Sequence, residues 1–361
     1  MASVRASGSV SAFLSGDPSI LSRANGFTVL RLLCAFLVLY THSYVITKQG
    51  AEPLFQLTHL IPFSALGVDG FFAISGYLVG GSLLRDPRPL AFLRNRALRV
   101  YPALIVIVLL SVFVLGPLMT VDPAYWSSPV TWKFLWVGTL YGYHEYIAGL
   151  FEGNPVHVVN GSLWTLPIEF TCYLLLLTLS WCRALSARTL AAVIALMMLL
   201  YVGEAFPPLH FIFQMELFQL NRFGILFCGG ALLAILGDRV PYSPPAALAI
   251  FVVVAALLYL EPRWQVSIPP YLLAMPYLLV TLARSLKPFA WMNRWDASYG
   301  FYLYAFPVQQ ILEAINGASM GPRRLTLYAT PIALACGLAS WLLVERPALS
   351  FKAGAKAAAP H

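Results

Sequence analysis

The sequence predicts an all-α, polytopic integral membrane protein with about ten transmembrane helices. Of its 361 residues, 59% are hydrophobic and only 11% are charged, and the mean hydropathy is +0.75. Soluble domains carry about twice that share of charged residues. Apolar runs near the length of about 20 residues that crosses a bilayer as a helix recur along the whole chain. These observations place most of the chain within a lipid bilayer.

Ten apolar runs are present, and no long linker or internal repeat separates them into two domains. They cover residues 27–46, 64–84, 99–118, 162–182, 188–204, 219–237, 245–260, 268–284, 297–315 and 325–344. The fifth and seventh runs are short for a membrane span. We predict one membrane domain, 27–347, between an N-terminal segment, 1–26, and a C-terminal tail, 348–361.

The positive residues are distributed unevenly between the two sides of these runs. If the N-terminus is cytoplasmic, most of the 23 lysines and arginines lie inside, while Arg31 and Arg222 lie within spans. The five on the outer side are Lys48, Lys133, Arg263, Arg323 and Arg324. This bias follows the positive-inside rule and predicts that both termini are cytoplasmic. The net charge of +8 therefore reflects topology, and we predict no nucleic-acid partner.

The N-terminal segment and the cysteines indicate neither secretion nor metal binding. Residues 1–26 have no apolar core followed by a cleavage site, so we predict no cleaved signal peptide. The cysteines lie in or beside apolar runs without paired spacing, which favours packing over a disulfide framework or a zinc site. They are Cys34, Cys172, Cys182, Cys228 and Cys336.

The first run, RLLCAFLVLYTHS, encloses Arg31 and His42. Eleven residues turn a helix by three turns plus roughly 20° and advance it by about 16 Å, so the two side chains share a face. Ionisable groups within a membrane are costly and usually serve a site or a pathway. The alternative is that both are merely near helix ends, with Arg31 extending to the headgroups.

The second run, GVDGFFAISGYLVGG, begins with Asp69 on the same predicted side as His42. A carboxylate at this position either favours the helix dipole or orients the imidazole. The glycines of this run allow close helix approach, which in lipid is more often packing than catalysis.

Five arginines follow within fifteen residues, in RDPRPLAFLRNRALR. Topology and attraction to anionic membrane lipids explain part of this cluster. Arginine also binds phosphate well, and Arg94, Arg96 and Arg99 lead directly into the third run. A phosphate-bearing cytoplasmic donor is therefore an equal alternative.

The fourth run opens with NGSLWTLPIEFTCYLL, which places Glu169 about two turns inside the outer boundary. Ser162 and Trp164 precede it and are expected around the same opening. A glutamate within the membrane is usually functional. Arg222, in the sixth run, is a candidate partner for Glu169 or for an anionic acceptor. The long aromatic connection 119–161 is either an interfacial belt or a platform on which sugar rings stack.

Taken in order, six segments resemble the membrane-bound acyltransferase 3 family over about 27–347. They are the R-x10-H of the first run, GVDGFFAISGYL, FLRNRALRVYP, NGSLWTLPIE, SYGFYLYAFPV and VERP. Each is a weak motif alone, whereas the ordered set is specific. The resemblance implies a ten-helix bacterial inner-membrane enzyme that transfers acyl groups, commonly acetyl from acetyl-CoA, to carbohydrates outside the cytoplasm.

The resemblance also implies roles for the singled-out residues. Arg31, with Arg94, Arg96 and Arg99, would hold the acyl-CoA donor, and no metal is expected. His42 would act as general base or would briefly carry the acyl group. Asp69 or Glu169 would fix the imidazole, and Ser162, Trp164 and Arg222 would contact the carbohydrate acceptor. Polysaccharide-assembly proteins or a second copy of the chain are possible partners.

One departure from the family pattern keeps other functions open. Many members have histidine in the ninth-helix pattern YLxHxPV, where this chain has Ala305. A scaffold without catalytic activity is therefore an alternative. The main rival is a transporter or flippase for a lipid-linked sugar, which needs the same intramembrane charges. The missing inverted repeat disfavours that rival.

Overall fold

The computed structural model describes residues 26–205, 211–212, 215–286 and 295–352. Within them are ten helices of 16 residues or more, each overlapping one predicted run. They are α1 (Gly26–Thr47), α2 (Phe63–Arg85), α3 (Pro89–Leu110), α4 (Thr165–Trp181), α5 (Ala187–Val202), α6 (Leu217–Leu236), α7 (Pro244–Leu260), α8 (Trp264–Ser285), α9 (Ser298–Ile315) and α10 (Pro322–Ser340). The all-α prediction is confirmed.

Several shorter elements complete the described fold. A π-helical turn, Ser111–Leu115, and a last turn, Gly116–Met119, extend α3, and the turns Trp341–Glu345 and Arg346–Leu349 extend α10 in the same way. Pro53–Thr58, Pro129–Lys133, Phe134–Thr139 and Gly237–Arg239 are short helices in connections. Phe211–Ile212 and Met215–Glu216 form a small antiparallel pair.

Six of the long helices have the length and hydropathy to cross a membrane. These are α1, α2, α6, α8 and the extended α3 and α10, whereas α4, α5 and α7 are shorter apolar helices of 16 or 17 residues. The protein is therefore a membrane protein with several spanning helices. Ten crossings stay a prediction.

Contacts at the start and at the end of α1 define two opposite ends of the bundle. The hydroxyl of Thr41, late in α1, accepts a hydrogen bond from the backbone N–H of Ser64 at the start of α2, at 2.8 Å. At the opposite end, Gly26 lies directly against the backbone of Ala283, near the end of α8. We name these the His42 end and the Arg31 end. The first described residue and the last turn of α10 both lie at the Arg31 end.

The third helix begins ten residues earlier than the predicted run. Pro89 occupies its first turn, where a missing N–H costs nothing, and the following residues continue the helix without interruption. The basic cluster is consequently helical. This matters for function because it fixes the angular spacing of Arg94, Arg96 and Arg99.

The predicted terminal segments lie almost wholly outside the described residues. Of the segment 1–26 only Gly26 is described, and of the tail 348–361 only residues 348–352 are. Three of the five cysteines are buried, Cys336 is half-buried and Cys182 is exposed. Cys182 departs from the expected packing role because it follows the last residue of α4.

Candidate functional site

A cavity of about 100 Å³ lies between α1, α2, α3, α4 and α9. This is roughly the volume that three water molecules occupy in the liquid. Its polar wall includes Ser75, Arg96, Glu169 and Tyr173, and its remaining wall is mainly apolar. A cavity of this size can hold a small acyl group, but not a whole nucleotide-bearing donor.

Glu169 is held in the cavity wall by side chains from two helices. One carboxylate oxygen, Oε1, accepts hydrogen bonds from Ser75 Oγ at 2.8 Å and from the Tyr173 hydroxyl. Tyr173 lies one turn after Glu169 on α4, whereas Ser75 belongs to α2. Sequence analysis did not select either partner; the four-residue spacing was the available signal for Tyr173.

Arg96 is the arginine of this wall whose guanidinium has a buried N–H without a hydrogen-bond partner in the described residues. Its guanidinium lies 5.7 Å from the Phe92 ring centroid and 5.8 Å from that of Tyr173. Its Nε is buried, with no hydrogen-bond partner in the described part of the chain. Because a buried donor atom without a hydrogen-bond partner is costly, this arrangement favours binding of an anionic or strongly polar group at Nε.

At the Arg31 end, two predicted donor-binding arginines share one carboxylate. Asp296 Oδ2 accepts from Arg31 Nη1 at 3.0 Å and from Arg99 Nη2 at 2.9 Å, and Ser298 Oγ donates to Oδ1 at 2.7 Å. Arg99 Nη1 also lies 3.4 Å from Glu345 Oε2. Burial would raise the pKa of Asp296, but the two guanidiniums outweigh it and hold that pKa well below its ordinary value.

Asp296 and Glu345 are carboxylates paired with cavity arginines that sequence analysis did not select. Asp296 lies two residues before the SYGFYLYAFPV segment, and Glu345 belongs to VERP. Their positions in or beside motifs marked them as candidates, but the sequence did not indicate which residues they pair with. Together they keep Arg31 and Arg99 beside the cavity.

Arg94, the third arginine of the basic cluster, does not line the cavity. Arg94 is exposed, and its guanidinium donates to the backbone carbonyl of Phe351. The next residue, Lys352, is half-buried near the cavity arginines. Burial first, and then the positive charges of Arg96 and Arg99, lower the pKa of Lys352 to about 8. The end of the described chain thus lies over the Arg31 end of the cavity.

Asp69 forms a buried ion pair with Arg222. The carboxylate is fully buried and accepts from Arg222 Nε at 3.2 Å and Nη2 at 2.5 Å, and from the Tyr271 hydroxyl at 2.7 Å. These three residues belong to α2, α6 and α8. Arg222 therefore pairs with Asp69 instead of Glu169. The arrangement joins three helices and satisfies both charges within the protein.

His42 lies apart from both carboxylates. Its ring packs edge-on against Phe306 of α9, with 4.9 Å between ring centroids. Nδ1 is buried and has no hydrogen-bond partner in the described residues, while the side chain as a whole is half-buried. Asp69 and Glu169 are bonded to other side chains. The imidazole is thus left with an unused nitrogen.

Two aromatic side chains of α9 show how far His42 lies from the cavity. Tyr302 lines the cavity, and Phe306, one turn further along α9, contacts the imidazole. Four residues of helix advance by about 6 Å. The cavity wall at Tyr302 is therefore about one turn of α9 from the residue that touches His42.

The NGSLW segment also packs on α9. Asn160 Nδ2 donates to the Leu303 carbonyl at 2.9 Å, and the Tyr302 hydroxyl donates to the Ser162 carbonyl at 2.9 Å. The Ser162 hydroxyl oxygen is buried and unpaired among the described residues. Trp164 instead packs beside Phe223, with 5.9 Å between ring centroids. Ser162 therefore shares the Tyr302 and Phe306 region, while Trp164 faces α6.

The remaining part of α9 holds polar residues that sequence analysis did not select. Gln309 Nε2 donates to the Leu39 carbonyl at 2.8 Å and to Ser43 Oγ at 2.7 Å. Glu313 is fully buried with neither carboxylate oxygen bonded in the described residues.

Ala305 is buried at the family's histidine position. No group of three or more His, Cys, Asp or Glu side chains in the described ranges could hold a metal.

Four of the ten predicted site residues meet in the cavity, and six do not line it. Those in the wall are Arg31, Arg96, Arg99 and Glu169. Those elsewhere are His42, Asp69, Arg94, Ser162, Trp164 and Arg222. The predicted site therefore divides into a cavity containing cations, a separate histidine and a structural ion pair.

Comparison with known proteins gives the family. The family model described as an acyltransferase domain, acyltransferase 3, matches residues 25–346. The chain belongs to the acyltransferase 3 family. This acyltransferase is 27% identical over 332 residues to an O-acetyl transferase of Shigella phage Sf6, covering 90% of this chain and 96% of the relative.

A second relative extends the comparison to rhizobia. The acyltransferase is 28% identical over 362 residues to nodulation protein 10 of Rhizobium leguminosarum bv. viciae, covering 91% of this chain and 94% of the relative. No solved structure matches the chain. The family resemblance predicted from the ordered motifs is confirmed.

Proposed function

We propose that this protein is a bacterial inner-membrane O-acyltransferase. It transfers an acyl group, acetyl in the first instance, from cytoplasmic acyl-CoA to a hydroxyl of a carbohydrate outside the cytoplasm. The observation that carries the proposal is the cavity itself. It brings Arg31, Arg96, Arg99 and Glu169 together within about one turn of α9 from the residue that contacts His42. The phage relative's description as an O-acetyl transferase supports acetyl.

The donor enters from the Arg31 end in this proposal. Its acyl thioester occupies the cavity, whose volume of about 100 Å³ leaves no room for the nucleotide. The phosphates then lie near Arg99, Arg96 and Lys352, where positive charge is concentrated. Glu169 uses Oε1 for its two protein hydrogen bonds, so Oε2 is available to accept an N–H from the donor's amide-bearing arm.

His42 acts on the acceptor. A neutral imidazole takes the proton of the acceptor hydroxyl through a ring nitrogen, and the hydroxyl oxygen attacks the thioester carbonyl carbon. The carbon–sulfur bond breaks, the imidazolium returns the proton to the leaving thiolate, and the products are an ester and CoA. Reaction requires the Tyr302 and Phe306 side chains to move, because they separate the cavity from the imidazole. Ser162 contributes its unpaired hydroxyl to acceptor binding.

Asp69 and Arg222 act indirectly in this scheme. Their ion pair with the Tyr271 hydroxyl fixes α2 against α6 and α8, and thereby positions Ser75 in the cavity wall. Arg94 holds the end of the chain through the Phe351 carbonyl. Both termini are cytoplasmic in the proposal, and Trp164 contacts the acceptor only after a change in its packing.

The test compares the parent with His42→Gln and His42→Ala. Mass spectrometry of envelope glycans from producing cells identifies the acyl group by its mass increment. Glutamine keeps polarity but takes no proton, so each variant should lose at least the 10² to 10⁴ in rate that a general base supplies. Acetyl-CoA binding by the purified variants should be unchanged, since the donor-binding residues are elsewhere.

Two results would contradict the proposal. His42→Gln at normal abundance with acylation within a few-fold of the parent would exclude the imidazole chemistry. Envelope glycans identical with and without the gene, but altered movement of a lipid-linked sugar, would favour transport.

A further inference from the structure

A groove of about 440 Å³ lies at the His42 end, away from the cavity. It is bounded by the end of α1, the short helix Pro53–Thr58 and the start of α10. Tyr44, Gln56, Arg323 and Arg324 supply its polar lining. Its volume lies within the range of about 300 to 1,000 Å³ that is typical of small-molecule sites.

The groove carries uncompensated positive charge. Arg323 and Arg324 are exposed, and neither forms an ion pair with a described carboxylate. The nearby Glu52 is buried and accepts from three backbone N–H groups, those of Leu54, Phe55 and Phe63. Its carboxylate oxygens therefore cap backbone groups and form no direct ion pair with either arginine in the described residues.

The position of these arginines is unusual for a membrane protein. They are two of the five basic residues on the predicted outer side, where the positive-inside rule disfavours them. Guanidinium groups match carboxylate and phosphate oxygens with two parallel hydrogen bonds. Adjacent unpaired arginines against this bias indicate an anionic ligand.

The other lining residues suit a sugar. Tyr44 presents an aromatic side chain whose hydroxyl lies 3.1 Å from that of Tyr40. Gln56 donates Nε2 to the Ala51 carbonyl at 2.9 Å, which leaves its amide oxygen free to accept a sugar hydroxyl. Pro53 and Pro322 add rigid apolar surface. A lipid tail would not use this mixture of phenol, amide and cations.

Residues beside the groove pack with Phe306, which contacts the proposed catalytic histidine. Thr326, two residues after Arg324, donates from Oγ1 to Ser43 Oγ at 2.8 Å, and Ser43 follows His42 in sequence. On the other side, Met320 directly precedes the groove residue Gly321 and packs with Ile46 and Phe306. A ligand in the groove thus lies beside the region where the acceptor hydroxyl must reach.

We propose that this groove binds an anionic group, carboxylate or phosphate, on the carbohydrate acceptor of the acyltransferase. The inference rests on the proposed function and narrows its substrate to acidic glycans. Arg323 and Arg324 bind the acid, while Tyr44 and Gln56 contact the sugar that carries it. The hydroxyl to be acylated belongs to a neighbouring part of the same chain.

The test measures binding to the full-length protein in phosphatidylcholine nanodiscs. The probes are fluorescent tetragalacturonate, a phosphorylated tetrasaccharide and neutral maltotetraose. We expect the parent to bind at least one acidic probe tenfold or more tightly than maltotetraose, and the tighter acidic probe identifies carboxylate or phosphate. Arg323→Gln with Arg324→Gln should remove that preference.

Arg263→Gln is the matched control, because Arg263 is also exposed and predicted outside but pairs with Glu261 at 2.7 Å. It should bind as the parent does. The same measurement on His42→Ala should show normal binding, so a failure of the proposed chemistry is distinguishable from a failure of the groove.

Three outcomes would overturn the inference. The parent binds neutral and acidic probes equally or not at all, or the double variant keeps the acidic preference. The third outcome is that phosphatidylglycerol in the nanodisc displaces the acidic probe, and that this displacement depends on Arg323 and Arg324. That result would make the groove a lipid-binding site.

Discussion

Arg96 shows how a single buried side chain bears on donor binding. It is the cavity arginine whose Nε has no described hydrogen-bond partner, and its guanidinium lies over the rings of Phe92 and Tyr173. Arg31 and Arg99, by comparison, are both paired with Asp296, and Arg99 is also paired with Glu345. A donor phosphate or carbonyl would therefore gain most from Arg96.

Replacing Arg96 with Gln should weaken acetyl-CoA binding. One lost charge-assisted hydrogen bond costs about 1.5 to 3 kcal/mol, or roughly 10- to 100-fold in Kd. Isothermal titration of purified protein in detergent measures this directly.

Arg94→Gln is the matched control, since Arg94 lies two residues away but outside the cavity. Its Kd should change only a few-fold through loss of the contact with Phe351. Equal losses in both variants would mean that the basic cluster attracts the donor by overall charge, without a specific role for Arg96.

The packing of α2 against α6 depends on glycines at the contact. A Cβ at Gly76 would lie 1.9 Å from the Phe227 carbonyl oxygen, and one at Gly230 would lie 2.1 Å from that of Ala73. Backbone atoms on both sides leave no side chain that can rotate away. Small residues thus bring the two helices close enough for Asp69 and Arg222 to meet.

Gly76→Ala should destabilise the protein by about 1 to 3 kcal/mol, the usual cost of overpacking. Gly81→Ala, on the same helix, should be neutral or stabilising, because its nearest neighbour is Arg85 Nη1 at 3.6 Å and alanine favours helix. Thermal melting of the purified proteins and their abundance in membranes provide the comparison. A normal melting temperature for Gly76→Ala would show that the helices separate without cost.

The segment after α10 gives the donor site a pH dependence. With a pKa of about 8, Lys352 is about nine-tenths charged at pH 7 and about one-tenth charged at pH 9. Its cation attracts the donor phosphates only when protonated. Affinity for acetyl-CoA should therefore fall as pH rises from 7 to 9.

Lys352→Arg should remove most of this fall, because arginine stays charged throughout the range. Lys352→Met should bind weakly at both pH values and show little change between them. Titrations at pH 7 and 9 on the three proteins separate these cases. An identical decline in all three would assign it to another group.

For the whole molecule, we predict that the two ends of the bundle lie on opposite sides of the membrane, because successive membrane-crossing helices alternate in direction. Cys182 is exposed directly after α4, at the Arg31 end, whereas Ser127 and Ser319 are exposed at the His42 end. These positions test the orientation.

We expect Cys182 to be shielded from an impermeant maleimide in intact cells and to react after permeabilisation. Ser127→Cys and Ser319→Cys, each combined with Cys182→Ser, should react in intact cells. The reverse pattern would place the Arg31 end outside and would remove the basis for a cytoplasmic donor there.

Much of the fold followed from sequence because it depends on local composition. Each apolar run lies on a helix, since the backbone polar groups of a lipid-embedded segment must bond within that segment. The start of α3 was misplaced because its first turns are basic and amphipathic, and an apolar window does not detect them. The resemblance to the acyltransferase 3 family could also be recognised from sequence, because the order of motifs along the chain can be compared without knowing which residues are in contact.

The hydrogen-bond and ion-pair partners of the site residues could not be predicted from sequence patterns. Asp69 and Arg222 are 153 residues apart and Arg31 and Asp296 are 265 apart, so their pairing depends on helix packing and rotation. The sequence by itself determined the membrane class, the helical runs and the family. Only the tertiary structure decided that Asp69 binds Arg222, that Arg94 lies outside the cavity and that no carboxylate in the described ranges bonds to His42. The physical reason is that desolvated charges are stabilised by the nearest complementary group in space, whatever its place in the chain.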